Sequence, residues 1–130
     1  MTVPTITDAA RRRALGARHL LAPSGRTDDV VAIARSLVAL HSSDPVTVYL
    51  SVLARMRNPD LEAVTTALYA DRSLIRHHAM RTTLWVAPPE TTALMHRACT
   101  LKIAEVQRRR TEKFLADSGL PARSAPSSRS

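Results

Sequence analysis

Aromatic residues and cysteine are scarce in this chain of 130 residues. Aromatic side chains make up only 3% of it: Trp85, Tyr49, Tyr69 and Phe114. Its core must therefore be aliphatic and rich in alanine, which favours closely packed helices. Cys99 is the only cysteine, so an intrachain disulfide is excluded. Because Cys99 falls within an apolar helical pattern, we predict that it occupies a core position.

Long apolar runs and metal-binding motifs are missing as well. No apolar run approaches the ~20 residues that span a bilayer. The first residues lack the charged-then-apolar order of a signal peptide, so we expect no membrane contact and a cytoplasmic location. No CxxC, HExxH or glycine-rich phosphate motif is present. His77 and His78 would point to opposite faces of a strand, which does not suit shared metal binding. We expect no metal and no cofactor.

Acidic residues are outnumbered, and the formal net charge is +8. Residues 97–130 carry eight basic and three acidic groups, so this last quarter holds more than half of the positive net charge. Such a surplus attracts polyanions, chiefly nucleic acid or anionic membrane. A generic basic surface is the alternative explanation.

Helical periodicity dominates the first half of the chain. Thr7 is a candidate N-cap for a helix over residues 8–21, and Thr27 for a second helix whose apolar spacing runs to Leu40. Asp44 and Pro45 predict the start of a third helix. One face of that helix is expected to carry five apolar residues: Val46, Tyr49, Leu50, Leu53 and Met56. A short fourth helix follows, marked by Leu61, Val64, Ala67 and Leu68.

The pattern changes after residue 73. Two short strands are predicted around residues 74–78 and 82–87. Trp85 and Met80 are expected in the core. A last helix is predicted over residues 90–116, followed by a low-complexity, disordered tail over residues 118–130. The predicted fold class is mostly α: helix-turn-helix helices plus a short β-hairpin in winged-helix order within residues 1–117, a long C-terminal helix, and the tail.

Three segments resemble those of a known protein family. Ala39–Pro45, together with the hairpin segments Ser73–Arg76 and Met80–Leu84, resembles a bacterial family of tandem winged-helix DNA-binding proteins that includes alkylpurine DNA glycosylases. The resemblance covers roughly residues 9–117. It implies that the chain corresponds to the N-terminal portion of a longer architecture, and we expect a truncated member, by gene decay or by a frameshift near Leu120 or Pro121.

The hairpin carries the candidate DNA contacts, which are Arg76, His78, Arg81 and Thr83. A wing commonly lies along the phosphate backbone, so cationic side chains here suit DNA binding. A solvated strand edge, on which Arg and His limit aggregation, is the alternative interpretation.

The resemblance also implies two candidate catalytic residues, His41 and Ser43. They stand where the related glycosylases carry two polar residues, the first a glutamine, that position the hydrolytic water. A histidine polarises water or acts as a general base near neutral pH. Three interpretations stay open: a variant glycosylase, a family member that binds DNA without excising bases, and a helix end capped by Ser43 and Asp44.

The main functional hypothesis is therefore a DNA-binding winged-helix domain whose partner is double-stranded DNA. The alternative is a DNA glycosylase that excises alkylated or bulky purine adducts, an activity for which the resemblance implies further domains. The second alternative is a helical protein-interaction module that docks through its last helix, along the surface from Leu94 to Val106.

Overall fold

A computed structural model describes residues 5–119 of the chain, so most of the predicted tail lies outside the described residues. Helix α1 spans Asp8–Arg18. The hydroxyl of Thr7 accepts a hydrogen bond from the amide of Ala10 at 3.2 Å, which confirms the predicted N-cap. The helix ends at Arg18 rather than at residue 21, because Leu20 takes a left-handed backbone with φ of 57°.

Helix α2 spans Val30–Ser36 and buries Val30, Ile33 and Ala34. Its N-cap is Asp29, whose carboxylate accepts from the amide of Ala32 at 2.9 Å, so the prediction of Thr27 as the cap is wrong. The prediction that the helix runs to Leu40 is also wrong. Val38 turns left-handed with φ of 69°, and the chain then extends into strand β1, Leu40–His41.

Helix α3 spans Pro45–Leu53 and begins as predicted, with Asp44 as its N-cap and Pro45 in its first turn. Its buried face differs from the predicted one. Val48 and Val52 are buried, whereas Val46 and Leu50 are exposed. The segment is apolar at almost every position, so its periodicity does not select the buried face.

Helix α4 spans Leu61–Thr65 and continues as a π-helical turn over Thr66–Ala70. Asp60 caps it by accepting from the amides of Glu62 and Ala63. Its buried residues are Val64 and Ala67, as the apolar spacing predicts, while Leu61 is exposed.

Two further strands, β2 (Ile75–His78) and β3 (Leu84–Ala87), confirm the predicted hairpin. They form an antiparallel sheet with β1 in the order β1-β3-β2. The two-residue strand β1 is a new element, absent from the sequence-based prediction. Register places His41 opposite Trp85 and His77 opposite Trp85, so three aromatic rings lie side by side on one face of the sheet.

The last helix is long, as predicted, and consists of α5 (Pro89–Met95), a π-helical turn (His96–Thr100) and α6 (Leu101–Asp117). The fold is thus mostly helical, with a small three-stranded sheet. One buried cluster lies between the helices α2–α4 and one face of the sheet, centred on Ile33, Val52 and Val86. A smaller cluster joins the other face to α5 through Ala79, Ala87 and Met95.

The turn between β2 and β3 has a strained backbone. Arg81 and Thr82, within the five residues that join His78 to Leu84, both adopt a left-handed backbone with φ of 57°. A left-handed backbone in an L-residue other than glycine costs about 1–2 kcal/mol. The turn therefore holds Arg81 in a fixed position at the expense of stability.

Replacing Thr82 with glycine should stabilise the protein by about 0.5–1 kcal/mol, since relief of strain exceeds the entropy that glycine adds to the unfolded chain. Urea unfolding measures the change. Thr83→Gly is the matched control, because Thr83 has an ordinary φ of −113°. Thr83→Gly should lower the free energy of unfolding, and equal effects of the two variants would contradict the strain.

Candidate functional site

His41 and Ser43, the candidate catalytic pair, lie next to each other at the exposed end of β1. The Oγ of Ser43 lies 3.3 Å from Nε2 of His41. The hydroxyl of Thr47 donates to the carbonyls of His41 and Asp44, at 3.1 and 2.6 Å. Asp44 accepts from the amide of Val46, so its carboxylate caps α3. The pair is therefore held on a short, well-bonded segment between a strand and a helix.

Trp85 forms the neighbouring wall of this site. Its ring stands edge-on to the ring of His41, with centroids 5.2 Å apart and an interplanar angle of 84°. Its indole N–H donates to the carbonyl of Met80 at 3.1 Å, which fixes the ring. Trp85 and Met80 were predicted to lie in the core, yet each is only half-buried. Side chains alternate between the two faces of a strand, and this alternation along β3 could have placed Trp85 on an accessible face.

A surface hollow of about 410 Å³ is lined by His41, Arg81, Thr83 and Trp85. It unites one candidate catalytic residue with two of the candidate DNA contacts. Arg81 is exposed and is positioned by the strained turn. The hollow thus combines an imidazole, a guanidinium, a hydroxyl and an aromatic face.

Arg76 and His78, the other candidate DNA contacts, bond to the protein itself. The guanidinium of Arg76 donates to the carbonyl of the buried Ser42 at 2.7 Å, from the opposite face of the sheet. The amide of Ser42 in turn donates to the carbonyl of Leu84 at 2.8 Å. The ring of His78 donates to the carbonyl of Thr82 at 2.7 Å and so supports the turn.

A second histidine cluster joins the sheet to the last helix. The hydroxyl of Thr100 donates to the carbonyl of His78 at 2.6 Å, so its oxygen accepts from Nε2 of His77 at 2.9 Å. The ring of His96 lies 3.3 Å from the same nitrogen. Burial, and then the charges of His96 and His78, lower the pKa of His77 below its ordinary value of 6.5. His77 is therefore neutral near pH 7.

The lowered pKa of His77 predicts a pH-dependent stability. The unfolded state binds the proton more tightly, so the free energy of unfolding should fall as the pH drops below about 6.5 and be constant above it. In His77→Gln, whose amide keeps a donor for Thr100, this loss should shrink. Urea midpoints at pH 7.5 and 5.0 measure it, with His19→Gln as the control at the end of α1. An unchanged pH dependence in His77→Gln would contradict this assignment.

Within residues 5–119, no three His, Cys, Asp or Glu side chains are grouped in a way that would hold a metal ion. His77 and His78 point to different partners, the last helix and the turn, as expected for adjacent strand residues. In the same part of the chain, no helix has both the length and the apolar content needed to cross a membrane.

Comparison with known proteins identifies the family. The family model described as "DNA glycosylase AlkZ-like" matches residues 34–127, which is most of the chain. The chain belongs to this AlkZ-like DNA glycosylase family. The match begins and ends later than the range 9–117 that the motifs indicated, and it includes the whole sheet and the last helix. No curated protein and no solved structure shows significant similarity to the chain.

Proposed function

We propose that the chain binds double-stranded DNA through a winged-helix domain, within residues 1–117. The element order supports this architecture: α2, β1, α3, α4 and then the β2–β3 hairpin, with β1 paired to the outer side of β3. A helix-turn-helix pair followed by a hairpin is the arrangement in which both a helix and a wing reach the duplex.

Charge indicates which of these elements carries the contact. Residues 45–70, which include α3 and α4, hold two arginines, Arg55 and Arg57, both between the helices. Their guanidinium groups donate to protein carbonyls, including those of His19 and Arg26. Asp60 and Glu62 stand at the start of α4. Phosphates repel carboxylates, so the acidic start of α4 is a poor match for a duplex.

The hollow beside the hairpin matches a DNA duplex better than the start of α4 does, and it is the main support for the proposed DNA binding. Arg81 offers an exposed guanidinium for a phosphate, and Thr83 offers a hydroxyl beside it. His41 and Trp85 supply two aromatic rings, set at 84° to each other, against which a sugar or base edge packs. DNA therefore approaches the sheet face that bears these four residues.

Arg76 and His78 take a supporting role in this proposal. Arg76 fixes the backbone between His41 and Ser43, and His78 fixes the turn that presents Arg81. Their predicted DNA contacts give way to intramolecular ones, which hold the contact surface in shape.

The test is the binding of a fluorescent 20-base-pair duplex at low salt, followed by anisotropy. Wild-type protein should bind saturably. Arg81→Gln should weaken binding about five- to tenfold, because one charge-assisted phosphate contact is worth roughly 1–1.4 kcal/mol. Arg13→Gln, a charge-matched control on α1, should bind as wild type. Absence of duplex binding by the wild-type chain would overturn the proposal.

The contact between His41 and Ser43 favours a second candidate, a DNA glycosylase acting on alkylated or bulky purine adducts. His41 accepts a proton from a water whose oxygen bonds to the anomeric carbon. The bond from that carbon to the base breaks, and the base leaves with the bonding electrons. Ser43 orients the water or the ring. Release of methylated base from alkylated DNA, lost in His41→Ala and kept in His19→Ala, would support this function; no release by wild type leaves DNA binding as the function of the chain.

A further inference from the structure

Strand β2 lies at one side of the sheet, so its outer edge pairs with no other strand of residues 5–119. Residues of an antiparallel strand alternate between those that bond to the neighbouring strand and those whose backbone groups point outward. The amide of Ala79 donates to the carbonyl of Thr83 at 3.0 Å, which fixes the phase of this alternation. It follows that the amide and carbonyl of Arg76 point away from β3, toward the outer edge.

The two ends of this edge are bonded, whereas its middle is open. Just before β2, the amide of Leu74 donates to the carbonyl of Ala67 at 3.0 Å. At the end of β2, the carbonyl of His78 accepts from the hydroxyl of Thr100 at 2.6 Å. Between them, the described chain gives the amide and carbonyl of Arg76 no hydrogen-bond partner. Unpaired backbone groups on an outer strand are a template for an extended segment of another chain.

A cleft of about 290 Å³ lies beside the start of this edge, and we call it the edge cleft. It is lined by Leu68, Tyr69, Arg72, Leu74, Ile75 and Arg76. Tyr69 is 67% exposed although it is a large aromatic residue. Tyrosine and arginine are the residue types that most often supply the binding energy of protein interfaces, together with tryptophan.

A smaller pocket of about 130 Å³ adjoins the edge cleft and shares Leu68, Tyr69 and Arg76 with it. Its remaining lining is mostly apolar and consists of Ser42, Pro45, Val48, Tyr49 and Val86. The volume is well below the range of about 300–1,000 Å³ that is typical of small-molecule sites. It suits a single apolar side chain that projects from a segment in the edge cleft.

Charge indicates what kind of segment fits. No acidic residue lines the edge cleft or the smaller pocket. Within residues 5–119, neither Arg72 nor Arg76 takes part in an ion pair. Arg76 donates to the carbonyl of Ser42 through one nitrogen and keeps its other N–H groups for a ligand. The two guanidinium groups therefore complement carboxylates.

Other occupants match the edge cleft less well. The C-terminal residues 118–130 of this chain hold two arginines and no acidic residue, so their charge has the wrong sign. A second copy of the chain carries a net charge of +8 and is repelled as a whole. A DNA strand is anionic, but its backbone has no N–H and C=O groups to pair with the edge of a β-strand.

We propose that the edge cleft docks an extended acidic peptide segment of a partner protein. The backbone of the segment pairs with the amide and carbonyl of Arg76. Its carboxylates lie at Arg72 and Arg76, and one aliphatic side chain enters the smaller pocket behind Tyr69. This surface is separate from the hollow at Arg81, so the inference does not depend on duplex binding.

The experiment uses three fluorescein-labelled hexapeptides, in which Asp alternates with Leu, Lys with Leu, or Asp with Ser. Anisotropy should show saturable binding of the Asp-Leu peptide. Its affinity should exceed that of the Asp-Ser peptide about tenfold, the effect of burying one leucine side chain. The Lys-Leu peptide should not bind, because its charge has the wrong sign for the two arginines.

Variants locate the bound peptide. Tyr69→Ala should weaken binding about tenfold, as for a central aromatic contact. Leu61→Ala should bind as wild type, because Leu61 is similarly exposed on α4 but lines neither pocket. Arg72→Gln should weaken binding about two- to fivefold, the range of an exposed ion pair. Arg18→Gln on α1 is its charge-matched control.

Hydrogen exchange followed by NMR tests the strand pairing itself. Saturating Asp-Leu peptide should slow exchange of the Arg76 amide. The Leu74 amide is the internal control, because it is already bonded to Ala67 and its exchange should not change. Unaltered exchange at Arg76 with peptide bound would overturn the pairing.

The remaining outcomes decide the identity of the occupant. Absence of saturable binding of the Asp-Leu peptide overturns the proposal, and so does equal binding by Tyr69→Ala and Leu61→Ala. Displacement of the peptide by an unlabelled DNA duplex, with duplex binding lost in Tyr69→Ala, would assign the edge cleft to DNA and overturn the peptide site. Circular dichroism establishes that each variant is folded.

Discussion

Replacing Ile33 with alanine should destabilise the protein by about 2–5 kcal/mol, a large part of the roughly 5–15 kcal/mol that holds a typical domain together. Ile33 is completely buried at the centre of the larger core cluster, where α2 meets α3 and the sheet. Truncation removes apolar contacts and leaves a cavity that closely packed neighbours refill only in part. Urea unfolding of the two proteins measures the difference directly.

Leu50→Ala is the matched control for this experiment. It removes a side chain of the same size from α3, but Leu50 is 61% exposed. Its effect should stay within about 0.5 kcal/mol, as for surface substitutions generally. A large loss in Leu50→Ala, with a small one in Ile33→Ala, would mean that α3 packs through the face that its apolar pattern first indicated.

Raising the salt concentration from 50 to 200 mM should weaken duplex binding roughly 40-fold. This magnitude follows from three phosphate contacts, each adding about 0.9 to the slope of log affinity against log salt concentration. We assign the three contacts to Arg81, Lys102 and Arg110, the cations that line the groove between the β2–β3 turn and the last helix. Anisotropy titrations at four or more salt concentrations give the slope.

Arg81→Gln should lower that slope by about one, because it removes one ion-releasing contact. Arg109→Gln, whose guanidinium is already paired with Glu105, should leave the slope close to that of wild type. Salt-insensitive binding by the wild-type chain would contradict an electrostatic contact with the phosphate backbone.

Local chemistry made part of this fold predictable. The cap at Thr7 and the Asp44–Pro45 helix start follow from short-range hydrogen bonding, and both are confirmed. The hairpin was predictable because its strands are short and rich in β-branched and aromatic residues. The proximity of His41 and Ser43 follows from their separation of two residues along an extended segment.

Other features depend on contacts between distant parts of the chain. The apolar spacing after α2 allows Leu40 to belong to a helix or to a strand. Its pairing with Val86 in the sheet places it in a strand. The inward face of α3 is set by packing, since its sequence is apolar all round. The nearness of Arg81 to His41 depends on sheet register, and the groove depends on how the last helix crosses the turn.

The π-helical turn at His96–Thr100 has a consequence for how this chain tolerates changes in length. A π turn accommodates one residue more than an α turn over the same stretch of axis. Deleting one residue there would convert the segment to regular α-helix and leave the rotational phase of the following residues almost unchanged. A deletion just beyond it, within α6, would instead rotate every later side chain by about 100° and turn Arg110 away from the turn at Arg81. Relatives that differ by one residue in this helix should therefore differ within the π turn, where a single insertion or deletion preserves the face presented to the sheet.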